Sequence, residues 1–162
     1  MKTRVYIETT IPSFYYTLRT DTQSQAMMHW TRRWWAEFVP RFALVTSPVV
    51  IAELRRGTGE RTQQRVDLLE EAELLEVTAL AEEVANIYIE KRAMPNDPGG
   101  DALHLAVASV HRVDVLLTWN CRHLANPSKM EYIRCVNYEL GLPTPVLTTP
   151  LNYLSGDESD VQ

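Results

Sequence analysis

The sequence has few cysteines and no long apolar run. Cys121 and Cys135 are the only thiols, and no Cys-x-x-Cys pair is present. Two cysteines cannot form a disulfide framework, and this usage is typical of idle thiols in a reducing cytoplasm. The apolar runs are short and interrupted, and the amino terminus enters a strand without the apolar stretch of a secretory signal. We therefore expect a cytoplasmic protein with no membrane partner.

Several sequence motifs with well-defined chemistry are missing. The chain has no Walker A loop, no Gly-x-Gly-x-x-Gly after a strand and no Gly-x-Ser-x-Gly, which argues against nucleotide-cofactor enzymes and serine hydrolases. It has neither His-Glu-x-x-His nor a Cys/His cluster, which argues against zinc.

Lysine is also scarce, since 3 lysines and 13 arginines make up the 16 basic residues. The formal net charge of −5 argues against broad nonspecific binding to nucleic acid, which depends on neutralising phosphates. Several arginines cluster, namely Arg32, Arg33, Arg55, Arg56, Arg61 and Arg65. Three interpretations stay open: solvated helix faces paired with glutamates, contacts to phosphate or carboxylate, and an interface for an acidic protein partner.

Apolar segments that fit strands alternate with segments of helical periodicity. The predicted strands are Arg4–Ile7, Ala43–Thr46, Leu74–Val77, Val115–Thr118 and Val146–Thr149. The predicted helices span about 22–39, 48–56, 61–73, 79–94, 101–112 and 128–140. This alternation predicts an α/β fold with a parallel sheet, helices on both faces and a ligand crevice at the carboxyl ends of the strands. At 162 residues, we expect one domain over 1–150 and a polar tail over 151–162.

Three carboxylates occur where a buried charge needs a partner. Glu8 follows the first strand, Glu53 lies in an apolar helix, and Asp101 opens another helix. Each has a structural alternative: Glu8 as an exposed turn residue, Glu53 facing solvent or paired with Arg55 or Arg56, and Asp101 as a helix N-cap. If the three converge, they form an all-oxygen site suited to Mg²⁺ or Mn²⁺.

Asn120 ends the fourth predicted strand and is the fourth candidate. Its amide oxygen could bind a metal directly or hold a metal-bound water; the alternative is a turn residue. His104 and His123 are interpreted as structural histidines. Trp30, Trp34 and Trp35 keep helical spacing, which favours core or partner-binding surface over base stacking.

These residues lie in four segments that occur in a defined order. The segments are Val-Tyr-Ile-Glu-Thr-Thr ending at residue 10, Ser-Pro-Val-Val-Ile-Ala-Glu-Leu at 47–54, Asp-Ala-Leu-His-Leu-Ala-Val-Ala at 101–108 and Leu-Leu-Thr-Trp-Asn at 116–120. Together they resemble the PIN-domain family of metal-dependent ribonucleases, and within it the VapC-like toxins of type II toxin–antitoxin systems. The resemblance covers about residues 4–150.

The resemblance implies a three-layer α/β/α fold with a central, mostly parallel sheet of four to five strands. It also implies an endoribonuclease in which Glu8, Glu53, Asp101 and Asn120 are catalytic and hold Mg²⁺ or Mn²⁺, with RNA as substrate. The expected partners are a VapB-like antitoxin and a second copy of the chain in a homodimer. The apolar side of the Trp-rich segment 22–39 could form the dimer surface or the antitoxin groove.

The sequence departs from the family pattern at two of the four positions. The first acid is usually Asp and here is Glu8, and the fourth is often Asp and here is the neutral Asn120. Three carboxylates should hold a second metal ion less readily than four. The alternative function is therefore a catalytically degenerate PIN-like module that binds RNA or an antitoxin-like protein without cleaving.

Overall fold

A computed structural model describes residues 1–57, 59–96 and 100–154 of the chain. Five strands form one sheet in the order β3-β2-β1-β4-β5, and every neighbouring pair is parallel. The strands are β1 (Thr3–Ile7), β2 (Phe42–Thr46), β3 (Glu73–Leu74), β4 (Val115–Leu117) and β5 (Val146–Thr148). The fold is the α/β arrangement that the alternating sequence pattern predicted.

Helices connect the strands and flank the sheet. They are α1 (Thr10–Tyr15), α2 (Thr22–Phe38), α3 (Pro48–Arg55), α4 (Thr62–Leu68), α5 (Ala79–Glu90), α6 (Asp101–Val110), α7 (Pro127–Glu139) and α8 (Pro150–Leu154). None of the helices within the described ranges is long and apolar enough to cross a membrane.

The strand order places β1 at the centre, where the direction of winding reverses. The chain runs from β1 outward to β2 and β3, and then returns to the other side of β1 for β4 and β5. Right-handed crossovers in opposite directions place helices on both faces, and the crevice at such a switch point is where α/β sheets bind ligands. The carboxyl ends of β1, β2 and β4 therefore define the region in which a site is expected.

Apolar side chains of β1 and β4 and the inner faces of α2, α5 and α6 form the core. Trp34 on α2 is fully buried and contacts Phe38, Phe42 and Tyr153, which confirms the core interpretation for this tryptophan. Trp30 and Trp35 are half-buried against the same core. The two cysteines are free and exposed rather than buried.

The third strand is two residues shorter than predicted and begins one residue earlier. The strand is Glu73–Leu74 rather than Leu74–Val77, and the helix before it ends at Leu68 rather than Glu73. The register pairs Leu74 with Thr46, and the Leu75 N–H donates to the Thr46 carbonyl. Because α3 begins at Pro48, the neighbouring strand offers no further partner, and the chain leaves the sheet.

Other boundaries also differ from the prediction. The fifth helix ends at Glu90 instead of Met94, because Arg92 takes a positive φ of 58° and the Ala93 and Met94 N–H groups fold back to the Tyr88 carbonyl. The short helices α1 and α8 were not predicted. Residues 151–154 of the predicted tail belong to α8, where Leu154 is buried. The rest of that tail, 155–162, lies outside the described residues.

Candidate active site

Glu8 lies directly after β1 and is almost fully buried, with 3 % of its surface exposed, so the exposed-turn interpretation is wrong. Its Oε1 accepts hydrogen bonds from the Thr10 backbone N–H at 3.1 Å, the Thr10 hydroxyl at 2.5 Å and the Thr118 hydroxyl at 2.6 Å. Burial raises the pKa of Glu8, and the nearby His104 and these hydrogen bonds only partly oppose the shift. The fold thus holds a costly carboxyl group in one orientation.

Glu53 lies on α3 and faces the sheet edge rather than Arg55 or Arg56. Its Oε1 hydrogen-bonds His104 Nε2 and accepts from the Thr9 hydroxyl at 3.2 Å. The side chain is 22 % exposed, whereas His104 is fully buried. The Glu53 carboxylate therefore has a protein contact on one side and access to solvent on the other.

His104 is part of a buried chain of hydrogen bonds that joins α6 to β1 and to the start of α3. Its Nδ1 lies 2.8 Å from the Tyr6 hydroxyl, which in turn lies 2.7 Å from the Ser47 hydroxyl. Ser47 is the N-cap of α3, but its hydroxyl contacts Tyr6 instead of the helix backbone. When the His104 ring is neutral and Nε2 donates to Glu53, Nδ1 accepts a hydrogen bond from the Tyr6 hydroxyl; when the ring is protonated, both ring nitrogens donate.

Asp101 and Asn120 form a second pair. Asp101 is the first helical residue of α6, and Gly100 is the N-cap, so the N-cap interpretation of Asp101 is wrong. The Asn120 Nδ2 donates to Asp101 Oδ2 at 2.9 Å. The Asn120 Oδ1 accepts from two backbone N–H groups, of Arg122 at 3.2 Å and His123 at 3.1 Å.

The three carboxylates surround His104. Burial disfavours the charged form of this histidine, but the hydrogen bond to Glu53 and the charges of Glu8, Glu53 and Asp101 outweigh it and raise the pKa of His104. A Cβ at Gly100 would lie 3.4 and 3.5 Å from the two Glu53 oxygens, which places the start of α6 against that carboxylate. The acids predicted from three distant segments thus share one neighbourhood.

The sequence pattern of the PIN domain family matches residues 23–125 of this chain. The chain belongs to the PIN domain family. The match includes Glu53, Asp101 and Asn120, and Glu8 lies before it. A search of curated protein sequences found no match.

Solved structures of toxin–antitoxin proteins share the fold of this PIN domain. VapBC2 from Rickettsia felis, bound to a DNA fragment of its promoter, has 16 % identity and a TM-score of 0.53, covering 90 % of this chain and 98 % of its own. VapBC-1 from nontypeable Haemophilus influenzae has 17 % identity and a TM-score of 0.54, covering 80 % and 93 %. The sarcin–ricin loop cleaving toxin VapC20 of Mycobacterium tuberculosis has 18 % identity and a TM-score of 0.54, covering 69 % and 86 %.

The carboxylates of this PIN domain are chemically suited to bind a divalent cation. Three carboxylates provide the oxygen ligands that Mg²⁺ and Mn²⁺ prefer, and the buried Glu8 carboxyl would gain from a nearby cation. Within the described residues, however, no three His, Cys, Asp or Glu side chains are already arranged around one ion position. Binding would therefore require the carboxylates to turn towards a common point.

Sequence reasoning missed three residues of this site. His104 was interpreted as structural, and Tyr6 and Thr118 were not linked to the acids as they are here. A signal existed for His104, because it lies three residues after Asp101 on the same helix and so on the same face. For Tyr6, the alternation of β1 gives no sign that its hydroxyl contacts a histidine.

Proposed function

We propose that this chain is a metal-dependent endoribonuclease that cleaves RNA phosphodiesters as the toxin of a type II toxin–antitoxin pair. The observation that carries the proposal is the position of Glu8, Glu53 and Asp101 around His104 at the carboxyl edge of the sheet in a PIN domain. Concentrating three like charges in a partly buried pocket costs stability, and such clusters are retained where they serve chemistry.

Glu8, Glu53 and Asp101 are the residues that would hold Mg²⁺ or Mn²⁺. A bound ion would activate a water molecule for attack on the phosphodiester and stabilise the leaving oxygen. We assign Asn120 a different role from the one expected from sequence. Because both bonds to its amide oxygen come from the backbone, its amide nitrogen orients Asp101 instead of its oxygen binding the ion.

The remaining polar contacts keep the carboxylates in place. Thr10 and Thr118 fix one oxygen of Glu8, while His104 and Thr9 fix one oxygen of Glu53. These contacts fix Glu8 and Glu53 in the ion-free protein. A bound ion would turn the carboxylates from these orientations towards itself.

The proposed partners are RNA, a VapB-like antitoxin and a second copy of the chain. Two of the structural relatives are VapBC complexes, which supports an antitoxin. VapC20 cleaves the sarcin–ricin loop, which supports a nuclease among the chains that share this fold. The homodimer follows from the family resemblance alone.

A second candidate is a PIN module that binds RNA or an antitoxin without cleaving. It is favoured by the absence, among the described residues, of three metal-binding side chains already grouped around one position. The contact between Glu53 and His104 also favours it, because a histidine occupies a direction that an ion would use.

Titration of Mn²⁺ into metal-free wild type and Asp101→Asn, followed by RNA cleavage assays of both, separates the two functions. The nuclease predicts Mn²⁺ binding and metal-dependent cleavage by the wild type, and the loss of both in Asp101→Asn. Glu83→Gln is the matched control, since Glu83 is an exposed acid on α5. Partner binding that EDTA leaves unchanged, with no cleavage under any metal, would establish the non-cleaving module instead.

A further inference from the structure

A pocket beside α1 combines two arginines with two hydroxyl groups. Its volume is about 280 Å³, and its lining consists of Ser13, Phe14, Thr17, Arg19 and Arg65. Arg61 interacts electrostatically with Arg65. Three guanidinium groups in one region of a chain with a net charge of −5 require an explanation.

These arginines have no carboxylate within ion-pair distance among the described residues. Arg65 donates one hydrogen bond from its terminal nitrogen to the Tyr16 carbonyl at 3.0 Å, but its Nε is buried and has no acceptor. The carboxylate of Asp21 is the N-cap of α2 and accepts a hydrogen bond from the Ser24 N–H. This hydrogen bond lowers the pKa of Asp21, and the charge of Arg19 adds a smaller contribution. A buried cationic donor without an acceptor is costly unless a ligand provides one.

The pocket is connected to the acid site through α1. The Ser13 hydroxyl donates to the Thr9 carbonyl at 2.8 Å, and the Thr9 hydroxyl contacts Glu53. Thr10, at the start of the same helix, contacts Glu8. Since α1 has six residues and a helix rises about 1.5 Å per residue, the two ends of α1 lie roughly 9 Å apart along its axis.

We propose that this pocket binds a backbone phosphate of the RNA strand next to the scissile bond, which rests on the proposed nuclease function. Guanidinium groups match the geometry of phosphate oxygens, and the Thr17 hydroxyl can add a donor. Phe14 offers a ring on which the adjoining base stacks. The connection of the pocket to the acids through α1 favours RNA over an acidic protein, because one strand can reach both the acids and the arginines.

Arg19→Ala tests the proposal without disturbing the fold. The Arg19 side chain makes no hydrogen bond or ion pair with any other described residue, and its two hydrogen bonds come from its backbone. The probe is a fluorescein-labelled oligouridine, and its binding is measured by anisotropy in EDTA so that it cannot be cleaved. Arg134→Ala on α7 removes the same charge from an exposed position and is the matched control.

We expect Arg19→Ala to bind the oligouridine about tenfold more weakly than wild type. The slope of log affinity against log salt should fall by roughly 0.7, the value for one phosphate contact to a single strand. Arg19→Lys should recover part of the affinity, since it keeps the charge but loses the two-pronged geometry. Arg134→Ala should match the wild type.

Equal affinities and slopes for Arg19→Ala and Arg134→Ala would overturn the subsite, even if the wild type cleaves RNA with Mn²⁺. Arg19-dependent RNA binding by a wild type that never cleaves would keep the subsite and reject the nuclease. A wild type that binds no oligouridine rejects the subsite. Arg19-dependent binding of a polyglutamate peptide, with RNA binding unaffected by Arg19→Ala, would assign the pocket to an acidic protein.

Discussion

Two buried polar networks meet on α6, and they differ in charge. Around Ser109, the Tyr88 hydroxyl lies 3.3 Å from the Ser109 hydroxyl and donates to Asn137 Oδ1 at 2.5 Å. The Asn137 amide nitrogen donates to Ser109 at 3.1 Å and to Thr144 at 3.0 Å. All of these groups are neutral, and their donors and acceptors satisfy one another.

Around His104, five residues earlier on the same helix, the groups carry charge. A tyrosine, Tyr6, and a serine, Ser47, again take part, but the histidine is surrounded by the carboxylates Glu8, Glu53 and Asp101. The acids outnumber the one buried base, so the network is electrostatically incomplete. The neutral network joins α5, α6 and α7 through satisfied hydrogen bonds, whereas the charged one sets three acids around one base, an imbalance that a bound cation would reduce.

Glu8→Gln should break the charged network's function while preserving the fold. The glutamine side chain would keep an oxygen that accepts from Thr10 and Thr118, and the substitution removes a buried carboxyl with a raised pKa. We expect RNA cleavage to fall on the order of 100-fold or more, while the melting temperature stays the same or rises. Activity equal to that of Glu83→Gln, measured in the same assay, would show that Glu8 has no role in the reaction.

Asn137→Ala should lower the stability of the protein without changing its affinity for Mn²⁺. It leaves Tyr88 and the Ser109 hydroxyl without their amide partner in a buried environment. The free energy of unfolding should fall by about 3 kcal/mol, with Mn²⁺ affinity unchanged below the melting transition. Asn86→Ala, an exposed position on α5, is the control for urea denaturation. A drop in Mn²⁺ affinity would mean that the two networks are coupled through α6.

Tyr6→Phe and Tyr88→Phe compare the same change in the two networks. Tyr6→Phe removes the partner of His104 Nδ1 and so loosens the ring that holds Glu53. Because groups behind a metal ligand tune its orientation, Mn²⁺ affinity should fall about tenfold. Tyr88→Phe should leave that affinity unchanged. Calorimetric titration of Mn²⁺ into both variants measures these affinities. Equal Mn²⁺ affinities of the two variants would show that Tyr6 does not support the metal site.

The sequence predicted the parallel sheet, because alternating strand-like and helical segments indicate that class of fold. The carboxyl ends of parallel strands share one edge, which placed Glu8 and Asn120 at that edge. The convergence of the three acids was only a condition of the metal site, and the family resemblance implied it. The metal and the catalytic roles of the acids stay predictions.

Contacts between side chains could not be predicted in the same way. Which end of the Asn120 amide faces Asp101 depends on the backbone N–H groups of the following loop, and no periodicity encodes that. A single histidine in an apolar helix is usually structural, so His104 gave a weak signal until Glu53 was seen beside it. Helix α1 is six residues long, too short for a periodic pattern to stand out.

The smallest expected effect concerns the neutral network at high pH. Burial raises the pKa of Tyr88 from 10.0 to about 12, so the folded protein holds this proton more tightly than the unfolded chain. The resulting stability is fully present below pH 10 and is lost as pH rises towards 12. Between about pH 10 and about pH 11, wild type should lose about 1 kcal/mol more stability than Tyr88→Phe. Urea titrations of both proteins at the two pH values measure this difference. Equal losses of stability in wild type and Tyr88→Phe would show that Tyr88 ionises as readily in the folded protein as in the unfolded chain. That result would contradict a buried network whose hydrogen bonds are all satisfied.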